Sequence, residues 1–418
     1  MEQEINPWSA NQSIDTEKFF SEFGIEPMDA ILERISDPPY FLRRGIVIGQ
    51  RDYLPIAAAM NTGSPFHVLT GFMPSGHPHL GHLMVMKEVV WHVQQGGNGY
   101  VAVADREAHA VRGISWDKCG EYAREYLQCL YALGYEGQTY YQTRNTRVKD
   151  LAFEAAIKMN FSDLQAIYGF GQETAIAHAM SVATQVADIL YPQTDAGPAP
   201  TIVPVGLDQD PHIRLTRDVA FKLRMFTVEQ RDGYVSVRSK NAPEAALQAV
   251  HTSFAGSKKY EGHVDIKNAT YDEVSTRVRE IEIAHGGYGF YSPSATYHYF
   301  MPGLQGGKMS SSVPESSFGF CDPDKDIQKK VMSALTGGRM TLEEQKRLGG
   351  EPDKCSVYLL NLFHMCEDDG ELAEIHRACR GGELMCGTCK KATWERVREF
   401  LTEFRERLDE VEHKVDED

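Results

Sequence analysis

The chain has 418 residues, 42% of them apolar and 24% charged, an ordinary globular composition with core enough for two or three domains. It contains no run of about 20 apolar residues, and its start, Met1-Glu2-Gln3-Glu4-Ile5-Asn6, is acidic; neither a membrane span nor a secretory signal is expected, and the chain reads as cytoplasmic. A formal charge of −16 speaks against nucleic-acid binding by bulk electrostatics, but Arg43-Arg44, Lys329-Lys330, Lys346-Arg347, Lys390-Lys391 and the pair Arg405 and Arg407 leave local basic clusters.

Residues 1–60 read as a leader, with a helical signal at 15–23 and a break at Pro38-Pro39. Phe66-His67-Val68-Leu69 is an apolar run, followed by Gly71 and a Pro74-Ser75-Gly76 turn. His79-Leu80-Gly81-His82 then opens a helical stretch from 80 to about 95. Tyr100-Val101-Ala102-Val103-Ala104 has the character of a buried parallel strand, and a helical pattern follows over 117–133. Thr201-Ile202-Val203-Pro204-Val205 is another short strand, closed by Gly206-Leu207-Asp208-Gln209. Strands alternating with helices predict an α/β fold, a doubly wound parallel sheet of Rossmann type. Ligands in such folds gather beyond the C-terminal strand ends, where Gly71, Asp105 and Asp208 fall. Residues 225–290 differ: Tyr234-Val235-Ser236-Val237 alternates, turn residues are frequent, and the pattern reads as an insertion whose fold it leaves open. Lys308-Met309-Ser310-Ser311-Ser312 lies in a Gly/Ser-rich loop, 306–312. From 321 onward the pattern is helical, with a capping box at Thr341-Leu342-Glu343-Glu344, a stop at Gly349-Gly350 and an amphipathic helix over about 391–411.

Two of these segments carry chemistry. A helix N-terminus with free N–H groups and two imidazoles, His79 and His82, is a ready anion site. Lys308, on a glycine-flanked loop, is a second, movable cation for phosphate. The expected ligand is a nucleotide triphosphate held from both ends, with Mg2+ to offset its charge. Taken singly, the histidines also read as a metal pair or a plain helix start, and the serine run as a flexible loop.

Together and in this order the two segments resemble the HIGH and KMSKS signatures of class I aminoacyl-tRNA synthetases. Phe41-Leu42-Arg43-Arg44-Gly45-Ile46, the run from Gly206-Leu207-Asp208-Gln209-Asp210-Pro211 to Thr216-Arg217-Asp218, Pro302-Gly303-Leu304-Gln305-Gly306 and Leu335-Thr336-Gly337-Gly338-Arg339 resemble the archaeal and eukaryotic tryptophanyl-tRNA synthetases. That resemblance implies activation of tryptophan with ATP and Mg2+, transfer to tRNA(Trp), a homodimer, and an all-α C-terminal domain. It implies three parts: 1–60 as a leader, 61–320 as the catalytic domain, and 321–418 as a helical anticodon-binding domain. It assigns His79, His82 and Lys308 to catalysis, and Gly71, Pro74, Ser75, Gly81, Gly206, Asp208, Met309, Ser310, Ser311 and Ser312 to ATP. Glu107, Gln185 and Gln209 match positions that hold the substrate ammonium, for which acceptors are the right chemistry. The family's indole-holding tyrosine and glutamine are Leu69 and Ala102 here, and an arginine after the Thr-Gly turn is Phe72. Gln185-Val186-Ala187-Asp188 instead resembles the bacterial branch, in which an aspartate at the Asp188 position accepts the indole N–H; indole is a donor only. Tyrosyl-tRNA synthetase is the alternative within the fold. A nucleotidylyltransferase would share the first signature without needing the helical tail, and a synthetase-like RNA-binding protein would not need the histidine pair and Lys308 intact.

Cys355, Cys379, Cys386 and Cys389 are spaced C-x23-C-x6-C-x2-C, which can supply four thiolates to a metal site. Some bacterial tryptophanyl enzymes carry a [4Fe–4S] cluster on a very similar spacing, ending Cys-x-x-Cys-Lys-Lys as here. Zn2+ and free thiols are the alternatives, and Cys366 is an alternative first ligand to Cys355. Cys119, Cys129 and Cys321 read as packing residues.

Overall fold

The computed structural model describes residue 20 and residues 23–307, 309 and 313–415; Lys308, Ser310, Ser311, Ser312 and most of the expected helix at 15–23 lie outside them. Eleven strands occur among the described residues: β1 (Glu26–Pro27), β2 (Val47–Arg51), β3 (His67–Phe72), β4 (Asn98–Val103), β5 (Gln138–Tyr141), β6 (Thr201–Gly206), β7 (Phe226–Arg231), β8 (Tyr234–Ser239), β9 (Lys258–Lys259), β10 (His263–Ile266) and β11 (Ser294–His298). Contacts divide the chain into two units.

The first unit comprises Met1–Asn145, Ile202–Asp210 and Ser294–Asp418. Its sheet has the order β1-β2-β11-β6-β3-β4-β5. β11–β6, β3–β4 and β4–β5 are parallel, so the Rossmann-like core is present. β2 runs antiparallel to β11, and β1 antiparallel to β2, which makes the sheet mixed at that edge. Val68, Leu69, Tyr100, Val101, Ala102 and Val103 are all buried, the reason those two strands read as continuous apolar runs. β11, Ser-Ala-Thr-Tyr-His, is also wholly buried, and three of its polar side chains are paired: Ser294 Oγ donates to Asp52 O at 2.6 Å, Thr296 Oγ1 to Glu88, and Tyr297 Oη to Asp210 Oδ1 at 2.6 Å. The helices Leu83–Gln94 and Trp116–Ala132 flank the sheet, and one hydrophobic core runs from Val68, Leu83 and Val101 to Val357, Leu360, Trp394, Leu401 and Phe404. The helical tail therefore shares its core with the sheet. Arg44 strengthens the junction, donating to the carbonyls of Leu362, Cys366 and Glu367 and to Asp369. The tail ends in one long helix, Cys386–Val415.

The second unit comprises Thr146–Thr201 and Pro211–Pro293. Helices Thr146–Ala156, Phe161–Tyr168 and Ile176–Asp195 precede an antiparallel sheet of order β7-β8-β10-β9. The insertion is thus a small α/β module. Val235 and Val237 of β8 alternate with Ser236, whose Oγ donates to Asp265 Oδ1 at 2.9 Å on the opposite face. The valine face packs with Val264 and Ile266 against Leu247 and Val250 of the helix Glu244–Ser253 and Val274, Val278 and Ile281 of the helix Tyr271–Ala284. Among the described residues no helix is long and apolar enough to cross a membrane.

Candidate active site

In the first unit, the segment after β3 turns through a buried Pro74 and an exposed Ser75 into a short 3-10 turn, Leu80–His82, that leads into the helix Leu83–Gln94. The two histidines cap this turn reciprocally. Gly81 N donates to His79 Nδ1 at 3.0 Å, and His79 N donates to His82 Nδ1 at 3.2 Å. Two N–H groups expected to be free for an anion are thus already used, because imidazole Nδ1 is an acceptor that reaches its own turn. Each ring then carries its proton on Nε2. That of His82 meets the hydroxyl of Tyr126 at 3.1 Å. Burial holds both rings neutral, pulling His79 down to about 4 and His82 to about 3, the latter also through its neighbour His79. This site therefore offers N–H dipoles and a polarised imidazole where two cations would otherwise be drawn.

The second signature meets the first here. Met309, the described residue of the lysine loop, is buried, and its Sδ would stand 3.2 Å from a Cβ placed on Gly81. Leu80 N donates to Phe318 O at 3.3 Å, and His79 bridges Gly319, so the segment just beyond the loop is pinned to the same turn. Gly81 has no room for a side chain, because that Cβ would also lie 2.8 Å from the His79 ring. Gly206, ending β6, is equally constrained: a Cβ would lie 2.6 Å from Phe300 and 3.1 Å from Asp208 Oδ1. Gly71 is instead the penultimate residue of β3, opposite Ala102, and would meet only ordinary contacts. Asp208 and Gln209 are half-buried on the 3-10 turn Leu207–Gln209 directly after β6.

A family model described as tRNA synthetases class I (W and Y) matches residues 60–259 and 272–402. The tryptophan–tRNA ligase of Methanosarcina acetivorans is 49% identical over an alignment covering 100% of this chain and 98% of that protein. The chain belongs to the tryptophanyl-tRNA synthetases. The tryptophan–tRNA ligase of Archaeoglobus fulgidus is 47% identical, with 98% of each protein covered. The crystal structure of the tryptophanyl-tRNA synthetase of Aeropyrum pernix superposes with a TM-score of 0.76 at 35% identity, covering 98% of this chain and 97% of that one.

Glu107 lies half-buried in the first turn of the helix Asp105–Arg112. Its neighbour Asp105 is committed to the scaffold, accepting from Thr143 N at 3.1 Å and from the Thr143 hydroxyl. Gln185 and Asp188 lie in the second unit, on the helix Ile176–Asp195; three residues apart, they share one face, with Gln185 half-buried and Asp188 buried. Leu69 and Ala102 are buried without polar groups, so neither supplies an acceptor.

Four residues that hold this framework went unnoticed in the sequence. Tyr126, on the helix Trp116–Ala132, fixes His82 and had no signal beyond an apolar helical face. Asp210, fully buried, accepts from Arg51 Nη2 at 2.8 Å and from Tyr297, tying the turn after β6 to β2 and β11. The partners Arg51 and Tyr297 are remote in sequence from Asp210 and carried no motif.

The four motif cysteines also come together. Cys355, Cys379, Cys386 and Cys389 line one cavity, with Thr336, Gly337 and Gly338. Cys366 lies elsewhere, its Sγ 3.5 Å from Glu371 Oε2, so Cys355 is the member of the set. Two glycines leave the thiols space: a Cβ on Gly338 would stand 2.5 Å from Cys386 Sγ, and one on Gly350 2.8 Å from Cys379 Sγ. Burial and the neighbouring thiols push Cys389 up to about 11. Among the described residues no three Cys, His, Asp or Glu side chains converge as ligands of one ion. Cys119 and Cys129 are buried packing residues as expected, whereas Cys321 is exposed.

Proposed function

We propose that the chain is a cytoplasmic tryptophan–tRNA ligase, activating tryptophan with ATP and transferring it to tRNA(Trp). The contact that carries this reading is Met309 against Gly81, which joins the two nucleotide signatures in one unit. Full-length identity of 47–49% to proteins named tryptophan–tRNA ligase supports the choice of amino acid over tyrosine.

The tryptophan carboxylate attacks the α-phosphorus of ATP and pyrophosphate leaves, so positioning and charge stabilisation carry the chemistry. His79 donates its Nε2 proton as a hydrogen bond to the triphosphate, and His82 holds it in that orientation. Lys308 and the hydroxyls of Ser310, Ser311 and Ser312 stabilise the leaving pyrophosphate. Pro74 and Ser75 shape the turn over the nucleotide, and Gly206 and Asp208 take its ribose. Magnesium enters with ATP and offsets phosphate charge. Glu107, Gln185 and Gln209 accept from the substrate ammonium, and Asp188 from the indole N–H. The terminal ribose hydroxyl of the tRNA then takes the acyl group and AMP departs. We assign 61–320 to this chemistry and 321–418 to the anticodon.

The cysteine spacing and the cavity shared by Cys355, Cys379, Cys386 and Cys389 support a [4Fe–4S] cluster there, with Zn2+ as the alternative four-thiolate group. Bound there, the group would cross-link the tail, with no part in the reaction. Homodimerisation is supported by the exposed large apolar side chains Phe153, Ile157, Ile176 and Met180 within one stretch of the second unit.

The test is charging of a tRNA(Trp) transcript with labelled tryptophan by the full-length protein. Accumulation of tryptophanyl-tRNA is expected; adenylate formation without charging would limit the reading to activation.

A further inference from the structure

Within the second unit, the helix Tyr271–Ala284 presents Tyr271, Ser275 and Arg279 along one stripe, four residues apart. They line an open cleft of about 250 Å³ with Phe221, Arg224 and the edge strand β7, just below the size of an ordinary small-molecule pocket. The cleft is cationic at its floor. Arg224 is 9% exposed; its Nε donates to Glu282 Oε2 at 2.6 Å and its Nη1 to Phe290 O at 3.2 Å. The other oxygen of Glu282 accepts from Phe226 N at 2.9 Å, so that carboxylate is fully engaged. Arg279 donates to Ser275 Oγ at 2.6 Å, and its guanidinium lies 3.8 Å over the Tyr291 ring. Arg224 Nη2 and Arg279 Nε are shielded from solvent and have no acceptor. Glu282 is the ion-pair partner of Arg224, Arg279 bonds to Ser275 instead, and burial together with Arg224 pulls Arg279 below the usual arginine range. Leaving such donors unpaired is costly unless an anion meets them. The rim is aromatic, with Phe221 and Tyr271 exposed.

We propose that this cleft is a second ligand site, binding a phosphate group on Arg224 and Arg279 and an attached flat ring against Phe221 and Tyr271: a nucleotide, either free or at the end of an RNA chain. Guanidinium forks suit phosphate oxygens, and the Ser275 hydroxyl adds a further donor. A base stacking on an exposed aromatic rim needs no sequence-specific hydrogen bonds. The proposal is independent of the catalytic reading, since it uses none of the residues assigned there.

Hydrogen exchange of the full-length protein, read by mass spectrometry over the helix Tyr271–Ala284 and β7, tests it with AMP, inorganic phosphate and a short single-stranded RNA as probes. AMP or the RNA is expected to slow exchange in both segments, and inorganic phosphate to do so more weakly. Protection by AMP assigns a free nucleotide, and protection by RNA alone assigns a chain end. Arg279→Gln should weaken binding by about 10-fold or more, the scale of one lost charged hydrogen bond, and Arg279→Lys should recover part of it. Tyr271→Ala, a rim change that leaves the floor intact, should weaken AMP and not phosphate. Amino-acid activation should be unchanged in all three variants. No protection by any probe, or AMP protection that survives Arg279→Gln, would overturn the site; protection by phosphate equal to that by AMP would overturn its ring half.

Discussion

In the proposed site, the choice of amino acid rests on Asp188. It is buried, it is ionised in the proposed role, and the two side chains that hold indole in the archaeal and eukaryotic pattern are replaced by Leu69 and Ala102. Asp188→Asn keeps the shape and replaces a charged acceptor with an amide that can present its donor side. The kcat/KM for tryptophan should fall by ~10²-fold or more, the scale of a charged hydrogen bond plus a mispaired donor. Steady-state kinetics beside a circular-dichroism check of folding measures this, and an unchanged kcat/KM would remove Asp188 from the role. Lys308 differs in kind, since in its proposed role it acts on a charge that grows as pyrophosphate leaves. Lys308→Ala should lower kcat for adenylate formation far more than it raises the KM for ATP; equal effects on both would reduce it to a ground-state anchor. The histidine chemistry was only half legible. The sequence shows two imidazoles at a helix start, but not that their Nδ1 atoms cap the turn, nor that His82 Nε2 is hydrogen-bonded to Tyr126 on a helix 44 residues further along.

At the scale of elements, the long helix Cys386–Val415 starts at the cysteine cavity and runs back into the sheet's core through Trp394, Leu401 and Phe404. A metal group bound at the thiols would therefore add its binding energy to the folding of the tail. Protein purified without air should be brown, absorb broadly near ~400 nm and contain iron with labile sulfide. Stripping the metal should loosen the tail and depress tRNA charging while leaving amino-acid activation in place. About one zinc per chain would favour the four-thiolate zinc site, and neither metal would leave ordinary thiols. β3, β4 and β6 were readable because strands buried on both faces are apolar throughout. β2 and β11 were not: Gly49, Gln50 and Arg51 interrupt one, and the other buries Ser294, Thr296 and His298, which register as polar until Asp52 and Glu88 are seen beside them. The same limit applied to the insertion, where only Tyr234-Val235-Ser236-Val237 announced a strand, and its helices and edge strands emerge through the valine face they cover.

Across the whole molecule, burial leaves several histidines neutral. His79, His92 and His298 are pulled down to about 4, and His82 and His212 to about 3. Their unfolded counterparts titrate near ~6.5, so below that pH the unfolded chain takes up protons that the fold refuses. Stability is then lost as the pH falls from about 6.5 towards about 4, by on the order of 1.4 kcal/mol per pH unit for each histidine still titrating. Glu88 acts in the opposite sense: burial raises it to about 7, so its contribution is present in acid and is lost as the pH rises from the usual carboxylate range through about 7. His364, which burial also lowers well below the usual imidazole range, falls on the same side, so one carboxyl against six imidazoles leaves acid destabilising. Urea midpoints should drop steadily between pH 6.5 and 4.5, whereas a flat profile would mean that these rings accept protons in the folded state.

The broad identity, a class I synthetase fold with its two nucleotide signatures, was legible because those signatures are local and rigidly spaced. The partners that lock them, Asp210 with Arg51 and Tyr297, are created only by the fold. This assembly activates tryptophan with ATP. ATP–pyrophosphate exchange with each of the twenty amino acids in turn tests it most directly. Exchange that depends on tryptophan, with tyrosine and the rest near background, is the predicted result; exchange driven by tyrosine, or by no amino acid, would contradict it.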